Sequence, residues 1–131
     1  MLLKLNIVFF LVLGLFFNKS SAQESDYLAE LEYEIEYEIE LPKLKVKGFF
    51  VNNTTETFEA EYLLKVQKNS GSGKADSDQK GTFKSAPMEK IFLSESIMNI
   101  SEDAEYNITL EIKNGLLTIA EKSINIKGQE F

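Results

Sequence analysis

The stretch "LAELEYEIEYEIEL", Leu28 to Leu41, places a glutamate at every second position from Glu30 to Glu40. On a helix these six carboxylates spread around the cylinder, and like charges four residues apart repel one another. On a strand a period of two puts all six on one face and leaves Leu31, Tyr33, Ile35, Tyr37, Ile39 and Leu41 on the other. The pattern therefore predicts a half-buried strand.

Residues 1–22 read as a cleaved secretory signal peptide. Lys4 supplies the positive start, Ile7–Phe17 the short apolar core, and Ser20 and Ala22 the small residues before the cut. The apolar run falls short of the roughly 20 residues of a membrane span, and no later segment is apolar enough to insert. Residues 23–131 are then expected as a single exported domain, in the periplasm or, as the alternative, outside the cell.

The sequence holds no cysteine and no histidine. This excludes a disulfide framework, a thiol nucleophile, a His-ligated metal site and a Ser-His triad. Beyond residue 22, 12 lysines face 21 acidic residues, a net charge of −9. Eight of those acids fall in Gln23–Pro42, which has no lysine, so the excess is local. An acidic domain repels phosphate, and nucleic acid is not an expected partner.

Six further strands follow from the same periodicity. They are Leu44–Asn52, with a bulge expected at Gly48, Phe58–Lys68, Gln79–Ser85, Lys90–Asn99, Tyr106–Lys113 and Leu117–Ile126. "NSGSGKADSD" reads as a polar connection, Asn114-Gly115 as a hairpin turn, and Gln79–Ser85 as an edge strand guarded by Lys80 and Lys84. Seven short strands in about a hundred residues predict an all-β fold, a small immunoglobulin-like sandwich. Its odd strand number and lack of aromatic girdles argue against an outer-membrane barrel.

A hairpin around Pro42 is expected to set Glu36 opposite Lys47 and Glu38 opposite Lys45, leaving Glu30, Glu32 and Glu34 as an unpaired acidic patch. The strip is a poor metal site, because same-face neighbours on a strand stand about 6.6–6.8 Å apart while calcium gathers six to eight oxygens. "KADSDQKG" lacks the ligands to close a calcium loop. Acid–base catalysis needs carboxylates in a concave site, so no catalytic residue, metal or cofactor is expected and the chain reads as no enzyme. The Asn-x-Ser/Thr triplets at Asn53, Asn99 and Asn107 are read as chance in a chain rich in asparagine.

From Tyr62 onward the residues become more specific. "YLLKVQKNSGSGKADSDQKGTF" joins an apolar strand to a basic end, a Ser-Gly turn and Gln79, Gly81 and Phe83. "APMEKIFLSESIMNISEDAEYNITLEIKNG" follows with a proline turn, a Leu/Ser strand, an acidic turn and a glycine hairpin. Over roughly Glu61–Ile126 this order resembles the curli assembly chaperone-like family, the CsgC/CsgH type of periplasmic protein. The resemblance implies a monomeric immunoglobulin-like sandwich that holds back amyloid polymerisation of curlin-type subunits by weak, transient binding. Ser72, Gly73, Gln79, Gly81 and Phe83 fall on the matching motif. Gln79, with Lys65, Lys68, Lys80 and Lys84 beside it, is the client-facing surface it suggests. The cysteine pair of some members is absent, so any redox role of theirs does not carry over. The rival expectations are a non-enzymatic adhesin or surface-fibre accessory, and a calcium- or carbohydrate-binding secreted domain.

Overall fold

The computed structural model describes residues 25–37 and 41–131. The expected signal peptide, and Glu38, Ile39 and Glu40 of the glutamate strip, lie outside the described residues.

Seven antiparallel strands form: β1 (Tyr27–Tyr37), β2 (Pro42–Asn52), β3 (Phe58–Ser70), β4 (Gly73–Ser85), β5 (Lys90–Asn99), β6 (Glu105–Asn114) and β7 (Leu117–Lys127), with a short 3-10 turn at Gly128–Glu130. They make two sheets, β1-β2-β5 and β4-β3-β6-β7. The expected seven-stranded sandwich is what the chain adopts.

Alternation decides which side chains meet between the sheets. On β1 the odd positions turn inward, and Ala29, Leu31 and Ile35 are buried. The even positions of β2 (Leu44, Val46, Phe50), β3 (Ala60, Leu64, Val66) and β6 (Tyr106, Ile108, Leu110, Ile112) complete the core. An aromatic cluster closes one end, where Phe50 stacks on Tyr27 and Phe58 and tilts against Phe83. At the other end Tyr106 opens β6, and its hydroxyl donates to the Asn99 carbonyl and accepts from the Ser101 amide, both at 2.9 Å. A tyrosine near the start of the sixth strand, bonded back to the preceding corner, is the tyrosine corner of immunoglobulin-like folds.

Two local expectations hold. The β2–β5 ladder shifts register after Gly48, and a Cβ there would stand 3.3 Å from Leu110, so glycine lets the facing leucine pack close. The hairpin signalled by Asn114-Gly115 forms with its turn one residue later, Asn114 pairing with Leu117 around Gly115, whose φ is 63°, and Leu116.

Two expectations do not hold. The β1–β2 register is Glu36↔Lys43, Glu34↔Lys45 and Glu32↔Lys47. Four residues, 38–41, separate the strands where a tight turn around Pro42 would leave two, so Lys45 and Lys47 each pair four residues nearer the start of β1 than expected. The shift is even, so the glutamates keep their outward face. "NSGSGKADSD" is largely strand: β3 runs to Ser70 and β4 begins at Gly73, leaving Gly71 and Ser72 as the turn.

Asn52 is the principal buried polar group that the sequence does not advertise. Its side-chain amide donates to the Glu56 carbonyl (2.8 Å), the Ala86 carbonyl (3.1 Å) and the Ser85 hydroxyl (3.2 Å). Its carbonyl oxygen accepts from the Thr54 amide (3.0 Å) and hydroxyl (2.6 Å). This junction ties the β2–β3 loop to the turn between β4 and β5.

Candidate functional site

The outer face of the three-stranded sheet carries the glutamates of β1 beside the odd positions of β2, namely Lys43, Lys45, Lys47 and Phe49. Lys45 stands at the centre of one group. Its ammonium bonds Glu36 at 2.9 Å and lies 3.9 Å from Glu34 and 3.8 Å from Glu95 of β5. The Glu36 hydrogen bond, helped by the charges of Glu36, Glu95 and Glu34, holds the Lys45 ammonium above its ordinary pKa.

Lys90 anchors a second group. It reaches across the Phe49 ring, 4.7 Å from the centroid, to Glu30 at 2.9 Å and Glu32 at 3.6 Å. Burial alone would lower its pKa. The Glu30 hydrogen bond and the charges of Glu30 and Glu32 outweigh that and raise it.

These contacts revise the expected acidic patch. Glu34 is answered by Lys45 of β2, and Glu30 and Glu32 are both answered by Lys90 of β5, a strand distant in sequence. A local hairpin argument has no access to that pairing, since β5 arrives through the sheet order alone.

The five residues suggested as client-facing do not share one surface. Lys65 on β3 and Lys80 and Lys84 on β4 occupy the outer face of the four-stranded sheet, where Lys84 stands 3.7 Å from Glu59. Beside Lys80 lies an open depression of about 420 Å³ lined by Glu61, Leu63, Thr82 and Lys113. Lys68 turns to the end of the sandwich, donating to the Asn99 carbonyl at 3.1 Å beside the Tyr106 ring. Gln79 turns inward and half-buried, its side-chain oxygen accepting from the buried Ser94 hydroxyl.

That inward bond belongs to a polar seam. Ser96, also buried, bonds Ser77 at 3.2 Å, so β4 and β5 meet along hydroxyl and amide groups. The serines of β5 reach the inside because its ladder with β2 carries an extra residue at Leu93, which reverses the alternation and turns Phe92 and Ile97 outward.

No protein-family model matches the sequence, and no curated protein matches it. Among solved structures the chain is similar to R. palustris CsgH, with a TM-score of 0.50 at 17% identity, covering 78% of this chain and 94% of that one. It is also similar to the E. coli curli protein CsgC, with a TM-score of 0.55 at 14% identity, covering 72% and 96%. The fold is shared. It spans nearly the whole of both neighbours. Among the described residues, no helix is long and apolar enough to cross a membrane.

Proposed function

We propose that this chain is an exported, non-enzymatic, chaperone-like protein of curli biogenesis that delays amyloid polymerisation of curlin-type subunits. The observation that carries the reading is the common sandwich, matched over 94% and 96% of two solved proteins, one of them a curli protein by name. The residue order from Tyr62 to Gly115 supports it independently. Export to the periplasm follows from the reading of residues 1–22 as a signal peptide.

The mechanism needs only weak contacts. An amyloid end grows by adding strands, so a protein that repeatedly meets the extended chain lowers the number of nuclei. Both outer faces of the sandwich interleave lysine and glutamate, which favours many brief encounters guided by charge over one tight complex.

The test is thioflavin kinetics of the cognate curlin with purified residues 23–131. The lag lengthens at substoichiometric ratios and shortens again as salt screens the encounter. A lag that does not change with added protein defeats the reading.

A further inference from the structure

Among the described residues four strands have an open edge: β1 and β5 in one sheet, β4 and β7 in the other. Edges invite pairing by another chain, and charged outward residues discourage it. β4 is guarded in that way, with Asp76, Asp78, Lys80 and Lys84 exposed along it. β1 carries its glutamates. The exposed apolar residues on β1 and β7, Tyr37 and Leu117, lie at strand ends. Among the described residues β5 alone has two large exposed apolar side chains inside its span, Phe92 at 54% and Ile97 at 51% exposure.

Between them on the same outward face stands Glu95. Among the described residues Lys45 lies 3.8 Å from it but is shared with Glu34 and with the nearer Glu36, and Lys47 is its cross-strand neighbour on β2, so its outer side stays open to a further cation. The β5 edge therefore shows apolar, negative, apolar in order. The inward side of the same edge borders the hydroxyls and amide of the seam, Ser77, Gln79, Ser94 and Ser96. A strand laid against it meets an apolar and acidic strip with one set of side chains and small polar groups with the other.

We infer that the β5 edge, over Ser94–Asn99 with Phe92 beyond the bulge, accepts an extended partner segment with apolar, basic, apolar residues on one face and small polar residues on the other. The inference rests on the function proposed above and assigns it a surface. Main-chain hydrogen bonds supply the attraction and the alternate side chains the selectivity. The bulge at Leu93 limits the regular ladder to a few residues, which keeps the complex short-lived. A second copy of the chain is a poor occupant. Glu95 lies next to the middle of β5, so antiparallel self-pairing about a twofold axis brings two like charges together.

The experiment titrates the protein with a short synthetic peptide alternating valine, lysine, valine with serine and threonine, and with the same peptide carrying glutamate for lysine. Backbone amide shifts are followed by NMR. The lysine peptide moves the Ser94–Asn99 amides and binds about two- to fivefold more tightly than the glutamate peptide, as one cross-strand charge pair allows. Glu95→Lys inverts the order, and Phe92→Ser weakens both. Shifts centred on β4 or β7, no binding of either peptide, an order unmoved by Glu95→Lys, or a dimer by sedimentation each overturn the assignment. Thioflavin kinetics separate the two claims. If Glu95→Lys and Phe92→Ser lengthen the curlin lag as fully as the unaltered protein, the edge is wrong and the function stands. If the unaltered protein binds the lysine peptide at β5 yet leaves the lag unchanged, the edge stands and the function is wrong.

Discussion

The two long flanks of the sandwich are closed by different chemistry. Along β1 and β7 the sheets meet through Leu31, Ile35 and Ile126, all buried, with Tyr33 and Ile124 half-buried beside them. Along β4 and β5 they meet through Ser94 with Gln79 and Ser96 with Ser77. Apolar area taken from water stabilises by roughly 25 cal/mol per Å². A hydroxyl that exchanges water for another hydroxyl contributes only about 0.5–1.5 kcal/mol net. One flank is therefore held by burial, and the other, where Phe83, Ile91, Leu93 and Met98 also pack against the core, combines burial with polar fit. Stretches with fewer buried apolar contacts open at lower free energy, and the proposed partner edge borders such a stretch, the polar seam from Ser94 to Ser96.

The contrast is broken most forcefully from the apolar side. Leu31 is 1% exposed, and Leu31→Ala is expected to cost about 2–5 kcal/mol in chemical denaturation, through lost transfer energy and the cavity left behind. A loss below 1 kcal/mol would mean that this flank is no firmer than its opposite.

On the polar side the expected effects are smaller and coupled. Ser94→Ala leaves the Gln79 oxygen without its hydroxyl and costs about 1 kcal/mol, whereas Ser94→Ala joined with Gln79→Leu recovers part of it. A double-mutant cycle gives a coupling of about 0.5–1.5 kcal/mol; strict additivity would show that the bond contributes nothing. The cycle also bears on the proposed client surface, because a Gln79 engaged with Ser94 is turned inward and not free for an outside partner.

The mildest probe is alkali. Lys45 and Lys90 are raised from 10.5 by their glutamates, and Tyr33 from 10.0 by burial and then by the charge of Glu130. A raised value in the folded state means that folding retains protons the unfolded chain releases. Stability from these groups is thus fully present below pH 10 and lost as pH rises through their folded values. The thermal midpoint should be level across the neutral range, as far as these three groups decide it, and fall above pH 10. Tyr33→Phe removes the share belonging to the apolar flank and leaves that of the lysines. An alkaline fall untouched by Tyr33→Phe would place all of it on the outer face.

What could be read in the sequence follows the same division. β1, β3 and β6 have one apolar face, and period-2 alternation located each of them with its inward side. β4 has almost no apolar members in its first half, because its inward residues there meet serines, so Gly73–Asp78 looked like a loop. On β5 the extra residue at Leu93 broke the alternation, and nothing in its composition tells which serines lie inside. The Glu–Lys pairing failed for another reason. A turn length of four residues is not encoded by Pro42, and Lys90 reaches Glu30 only because the sheet order brings β5 beside β2. The suggested client surface divides accordingly: Lys65, Lys80 and Lys84 share an outer face, whereas Lys68 and Gln79 are engaged elsewhere.

Asn52 adds a consequence in time. It joins the end of β2 to Ser85 and Ala86, 33 and 34 residues further along. Those bonds form only when the chain between them has closed and the two sheets have docked, after most of the entropy of loop closure has been spent. An interaction made after the transition state governs how quickly a domain comes apart and hardly how quickly it assembles, so Asn52→Ala is expected to speed unfolding and leave the folding rate nearly unchanged in stopped-flow denaturant jumps. In a chain with no cysteine, such an asparagine would lengthen the life of the native sandwich without any covalent link.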